Sequence, residues 1–307
     1  MSNEGRPAPD IGGFTVSLVK ANTSTSVALE PGDGYSGPFL MPGVEGLGFA
    51  PAELFGPPLP DGDGSVFLGS RFGDGRIFLP IMIGARDWPS LRQHRHELER
   101  ILDPSTGPVR VYLTQPDTSA ARYVEGYYSS GMEGSYRADE AGWSWQKVGV
   151  EIRCFDPAAY GDTATQAWSV TGAPRPFLST TSAFFPVILG DSLVGGERVL
   201  MNAGDLEAWP VTVVTGPGSG LVLSNLTTGK TFSLLGDIDT PVTIDARPRG
   251  AADVFDATGD LWDRVTLGSS LWPLVPGPNR VRVTLLGATS ASSISVSWRP
   301  TYRSLHG

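Results

Sequence analysis

Short apolar stretches alternating with polar residues, broken every few positions by glycine or proline, run along most of the chain. In Gly13–Lys20, Phe14, Val16 and Leu18 stand against smaller or polar neighbours, the two-residue period of a half-buried strand. Ser65–Phe72 and Arg76–Ile83 flank Gly73-Asp74-Gly75, and an Asp-Gly step between apolar runs predicts a hairpin. Further strands are predicted at Val109–Leu113, Arg122–Tyr128 and Trp143–Phe155. The last sets Val148, Val150, Ile152 and Cys154 on one face and Lys147, Gly149, Glu151 and Arg153 on the other. One segment has a different period. Leu91, Leu98, Ile101 and Leu102 recur at helical spacing, with Arg92, Arg95, Glu97, Glu99 and Arg100 on the remaining faces. This predicts an amphipathic helix laid on a sheet, opened by a capping box at Ser90–Gln93 and ended by Asp103-Pro104.

Residues 30–63 are crowded with glycine and proline yet carry Phe39, Leu40, Met41, Leu47, Phe49, Leu54 and Phe55. A solvated linker has no use for these side chains, so the segment reads as an ordered arm packed on another surface, that of a neighbouring subunit included. The second half predicts eight short strands without a helix: Val199–Asn202, Val211–Thr215, Leu221–Ser224, Thr231–Leu235, Val242–Asp245, Val265–Leu267, Asn279–Leu286 and Ser293–Trp298. That spacing is the mark of a β-sandwich. The Pro/Ser/Thr-rich stretch 171–181 divides the chain into a domain at 1–180, expected to be β-sandwich-like with one helix, and a β-sandwich at 181–307. Phe67, Phe78, Val148, Val150 and Ile152 are expected in the N-terminal core, with Leu91, Leu98, Ile101 and Leu102 burying the helix.

Composition narrows the functions available. The net charge is −9, and residues 1–180 carry 21 acids against 14 bases. An acidic surface repels a nucleic-acid backbone, which argues against sequence-specific DNA or RNA binding. The one cysteine, Cys154, excludes an internal disulfide, and with three histidines it leaves no cysteine-based zinc site. His94 and His96 lie two apart, so a helix points them to nearly opposite faces and not at one metal. Asp33-Gly34 and Asp61-Gly62-Asp63-Gly64 lack the later bidentate glutamate of a calcium loop and read as turns. No nucleophile elbow, P-loop or dinucleotide fingerprint occurs in a strand-turn-helix setting. Pairs such as Asp237/Asp239 and Asp260/Asp263 read as loop acids. Neither an export signal nor an apolar run of membrane-spanning length is seen. No catalytic residue, cofactor or metal is assigned, and no enzymatic activity is expected. Trp209, Trp262 and Trp272 are the candidate sugar-stacking residues of the C-terminal domain, with core packing as the competing reading for all of its tryptophans. Asn225-Leu226-Thr227 forms a glycosylation sequon.

Four elements, in order, carry a resemblance. They are RIFLPIMIGARDWPSLRQHRHELERILDP; RYVEGYYSSGMEG with WSWQKVGVEIRCFDPAAYG; MNAGDLEAWPVTVVTGPG with LSNLTTGKTFSLL; and VTIDARPRG with LWPLVPGPNRVRVTL and SVSWRPTYRS. Over residues 65–303 their succession resembles the distal tail proteins of long-tailed siphophages, the hub between tail tube and baseplate or tail tip. The resemblance implies a mainly β chain whose N-terminal domain assembles into a ring, commonly hexameric. It also implies a C-terminal sandwich like a galectin or carbohydrate-binding module. The implied place is the tail tip of the virion, assembled in the host cytoplasm. The implied partners are copies of itself, the tail tube protein and other tail-tip proteins, with DNA passing through the lumen unbound and host-wall glycan as an alternative ligand. Acidic walls suit such a lumen.

Overall fold

The computed structural model describes residues 14–23, 25–30, 36–115, 121–134, 141–169, 193–248 and 253–306. The chain is mainly β with one α-helix. Its compact units are residues 1–162 with 302–307, and residues 163–301. The first unit thus takes back the last few residues, and the second starts well before position 181. The expected junction at 171–181 lies outside the described residues.

The N-terminal unit contains β1 (Thr15–Lys20), β2 (Ser26–Ala28), β3 (Gly37–Leu40), β4 (Ala52–Phe55), β5 (Gly69–Phe72), β6 (Gly75–Gly84), α1 (Trp88–Leu102), β7 (Val109–Thr114), β8 (Arg122–Ser130), β9 (Trp145–Cys154) and β10 (Ala159–Tyr160). Seven of these pair in the order β2-β1-β7-β8-β9-β6-β3. The sheet curls until its outermost strands meet, where the Leu40 N–H donates to the Leu29 carbonyl at 3.2 Å. Helix α1 packs against β1, β2, β3 and β6, covering that seam. The longest ladder, β6 with β9, runs unbroken from Gly75↔Cys154 to Gly84↔Trp145. Strict alternation decides what each strand buries. Ile77, Leu79, Ile81 and Ile83 of β6 join Val148, Val150 and Ile152 of β9 in one core with Leu91, Leu98, Ile101 and Leu102 of α1.

Several expectations change here. Phe78 sits on the face of β6 opposite Ile77 and Leu79, half-buried against Gly149, whose missing side chain makes room for the ring. Phe67 is 67% exposed and belongs to no core. The two runs around Gly73-Asp74-Gly75 do not form a hairpin. Neither glycine takes the positive φ that such a turn needs. Instead the Gly73 N–H donates to Pro51 O, Asp74 accepts from Arg153 Nε at 2.9 Å, and β5 pairs with β4. The arm is also divided. Leu40 and Leu47 are buried, and Gly46 crosses β6 so closely that a side chain would strike the Arg76 carbonyl. Beyond it, Phe49, Leu54 and Phe55 stand exposed.

The cap of α1 is Asp87, not Ser90: its carboxylate accepts from the Ser90 N–H at 2.9 Å, and Pro89 falls in the first turn, where no N–H is needed. Gln93 bonds forward to Glu97. The other end has a cap that sequence reasoning missed. Lys20, 4% exposed, sends Nζ to the carbonyls of Ile101 (3.2 Å), Asp103 (2.6 Å) and Gly107 (2.8 Å). A cation there satisfies carbonyls that the helix leaves open and meets the negative end of its dipole. Burial lowers its pKa from the ordinary lysine value, with Asp103 opposing.

The C-terminal unit holds β11 (Ala164–Ser169), β12 (Leu193–Asn202), β13 (Val211–Thr215), β14 (Ser219–Asn225), β15 (Lys230–Asp237), β16 (Val242–Asp245), β17 (Asp253–Asp256), β18 (Gly259–Asp260), β19 (Gly277–Leu286) and β20 (Ser293–Trp298). The sheets β11-β20-β13-β16-β17-β18 and β12-β19-β14-β15 form a sandwich around one core. Val265 forms only an isolated bridge with Leu234, so the strand expected at 265–267 is absent. Three buried asparagines tie its loops. Asn202 binds the Leu206 and Leu274 carbonyls and the Gly204 N–H; Asn225 binds the Pro273 carbonyl and the Thr227 N–H; Asn279 binds both backbone groups of Val275. Asn225 is fully buried, so the sequon presents no acceptor to a glycosyltransferase.

Two substitutions test this packing. Replacing Lys20 by Met strands buried carbonyls and should cost about 1–3 kcal/mol. Replacing Leu98 by Asp puts an unpaired carboxylate in the helix seam and should cost about 3–5 kcal/mol. Urea titration of each variant, followed by far-UV dichroism, reads both losses as shifts in the unfolding midpoint.

Candidate interaction surfaces

The N-terminal unit carries two surfaces that its own core leaves unused. The first is a ribbon. β4 and β5 pair in register from Ala52↔Phe72 to Phe55↔Gly69, and the bridge Pro58↔Ser65 continues the pairing toward the tip. The Leu59 N–H donates to Gly64 O, closing a loop that presents Asp61 and Asp63. Leu54, Phe67 and Leu68 are each about two-thirds exposed or more, and Phe49, Phe55, Leu59, Val66 and Phe72 are also exposed. Glu53 and Arg71 pair across the strands at 2.6 Å, and the Arg71 guanidinium lies over Phe55. At the root, Phe72 packs on Phe49 and beneath Arg303. A contiguous apolar surface of this kind marks an interaction site on a soluble protein.

The second surface is a groove of about 810 Å³ beside the first turns of α1, lined by Trp88, Pro89, Arg92, Arg95, His96 and Gln146. A turn closed by the Gly142 N–H on Trp145 O projects Trp143, which is 80% exposed. Its ring lies 6.3 Å from that of Trp88, at 32°. Arg95 is fixed by Glu99 (2.8 Å), the Met132 carbonyl (2.9 Å) and Gln146 Oε1 (3.1 Å). Gln146 is 4% exposed, yet its Nε2 has no hydrogen-bond acceptor. A buried donor left unpaired is costly, and this one is enclosed by the protein itself.

The remaining candidates are dispersed. His94 lies 3.3 Å from Ser36 Oγ and 3.6 Å from Glu97, His96 is exposed, and no metal-binding cluster occurs among the described residues. No helix among them is long and apolar enough to cross a membrane. Of the candidate tryptophans, Trp272 is a core residue whose Nε1 donates to Leu223 O, and Trp209 is half-buried. Trp262 is exposed, with Nε1 on Asp253. Trp298 faces inward beside Val296. Trp272 and Trp262 differ too much in burial to share one stacking face, so the structure builds no aromatic platform from these three. Trp143 and Trp88, which do stack in the open, were not among the candidates. The Trp-Ser-Trp spacing was visible in the sequence, but nothing there revealed that a turn precedes β9.

The chemistry of the thiol is also settled by its surroundings. Cys154 is buried at the Gly75 end of the β6–β9 ladder, and burial, reinforced by Asp156, pushes its thiol up to about 12. A thiol held protonated and out of contact with solvent is a poor nucleophile. Ellman's reagent at mildly alkaline pH should leave it untouched in the native chain and titrate one equivalent in denaturant.

No protein-family model and no curated protein sequence matches this chain. Solved structures do. The SPP1 Dit protein, described as a hub of the adsorption apparatus in phages infecting Gram-positive bacteria, superposes with a TM-score of 0.59 at 15% identity, covering 94% of this chain and 98% of its own. The baseplate of phage P2, activated with calcium, contains a chain that superposes at 0.53 with 8% identity, covering 92% and 97%. The strontium-activated form gives the same score and identity over 93% and 98%. Across nearly its whole length, the chain has the fold of phage baseplate and hub proteins.

Proposed function

We propose that this protein is a distal tail protein, a non-enzymatic component of a phage virion that forms a ring joining the tail tube to the tail tip. The observation that carries the reading is the apolar ribbon β4–β5, seen against a fold shared end to end with hub and baseplate chains. Two strands with large apolar side chains exposed on both faces are marginal in water. Such a ribbon becomes stable when a partner covers it, and in a homo-oligomer the partner is the next copy. The N-terminal unit therefore closes the ring, commonly a hexamer in the family it resembles. The C-terminal sandwich faces the other tail-tip components. The acidic balance of the N-terminal half suits a lumen that passes DNA without holding it.

Light scattering and negative-stain images of the purified full-length chain test this. Closed rings are expected, and Phe67→Ser with Leu68→Ser should reduce them to monomers while the dichroism spectrum stays unchanged. An unaltered chain that stays monomeric at high concentration would overturn the reading.

A further inference from the structure

Resting on the ring reading above, we propose that the ribbon of each copy docks in the α1 groove of its neighbour. In that seat the Asp61/Asp63 tip meets Arg92, and the apolar ribbon face meets Trp143 and Trp88. The two surfaces are complementary in chemistry. The ribbon offers what the groove lacks: carboxylates and loop carbonyls at the tip, followed at once by Val66, Phe67 and Leu68. The groove offers what the ribbon lacks: an exposed pair of indole rings and an exposed arginine on its rim. Arg92 is exposed, so an incoming carboxylate reaches it without displacing a buried partner. Glu99, which also lines the groove, is paired with Arg95, so Arg92 carries the positive charge where the tip arrives.

Their positions in the fold favour this pairing over a symmetric dimer. The ribbon leaves the sheet at Gly75, the start of β6, and the groove opens past Gly84, its end. At ~3.3 Å per residue the ten residues of β6 separate them by roughly 33 Å. A surface at one end that fits a surface at the other makes a heterologous contact, and such contacts propagate until they close as a ring. The eleven residues from Pro51 to Asp61 span roughly 36 Å on the same scale, enough to cross to an adjacent subunit.

The full-length chain tests the proposal by charge exchange. Asp61→Arg with Asp63→Arg should reduce the ring fraction about tenfold, the equivalent of about 1.4 kcal/mol. Adding Arg92→Asp to that chain should restore rings, and Trp143→Ala should lower them without changing the unfolding midpoint. Independently, a chain carrying Asp63→Cys and Arg92→Cys, treated with a short bismaleimide, should give a ladder of linked copies. Either single cysteine should give no more than linked pairs, because Cys154 is buried. Normal rings from the double-arginine chain, no recovery on charge exchange, or no ladder would each overturn the groove assignment while leaving the ring reading intact. Absence of rings in the unaltered chain would remove both.

Discussion

The N-terminal unit depends on the ten-residue ladder between β6 and β9. Its inward face supplies Ile77, Leu79, Ile81, Ile83, Val148, Val150 and Ile152, which are buried with the leucines of α1 in one core. A slip of one residue in either strand would turn that strand's set outward and bring in Arg76 and Phe78 of β6, or Lys147 and Glu151 of β9. Register is therefore fixed strongly, and two features outside the core inherit that precision. One end of the ladder holds the root of the ribbon through Gly73, Asp74 and Arg153. The other end holds Trp145, Gln146 and the turn that projects Trp143. Both exposed surfaces are positioned by this one ladder, whose Gln146 also lines the groove.

What was legible in the sequence follows from which forces act locally. Alternation along β9 and the helical stripe of α1 report burial directly, because each side chain's face is set by its own backbone period. The asparagines inside the motifs that carry the phage resemblance, Asn202, Asn225 and Asn279, are the fully or nearly buried ones that bind loop backbone. Turn chemistry of that kind leaves a readable trace at the residue that performs it. What was hidden depends on partners distant in sequence. Gly73-Asp74-Gly75 looks like a hairpin because nothing nearby reveals that Pro51 and Arg153 compete for its backbone and its carboxylate. Phe67 reads as core because apolar alternation cannot distinguish a strand covered by its own domain from one covered by another molecule. Lys20 caps a helix more than eighty residues away, which no local pattern announces.

The C-terminal sandwich shows how the same logic bears on ligand binding. Tryptophans suit both a core and a sugar platform, and their indole nitrogens decide between them. Trp272 and Trp298 spend theirs on backbone carbonyls inside the unit, the former 4% exposed, so their ring faces are packing surfaces. The outer face of the β12–β19 pair instead carries a charged cluster, with Glu197 held by Arg280 at 2.6 Å and Arg282 at 3.1 Å. Those arginines lower the Glu197 pKa below the usual carboxylate range. Beside that charged cluster the same face exposes Val199, Met201 and Leu286, single apolar side chains set among charged neighbours.

The apolar surface of the first unit is thus a specific commitment. An exposed two-stranded ribbon rich in Phe and Leu, with free edges, is the arrangement that natural β proteins avoid because it invites indiscriminate pairing. Two features limit that hazard before assembly. The ribbon carries charge on both strands, with Glu53 and Arg71 paired across it and arginine guanidinium planes over Phe55 and Phe72, so its rings are partly shielded by groups that water still solvates. The chain's net charge of −9 keeps copies apart at long range. Association then requires a surface that answers both the rings and the acidic tip at once, and a bare hydrophobic patch does not. Specificity arises from that double demand: apolar area provides the driving force, and the carboxylates make every wrong seat costly.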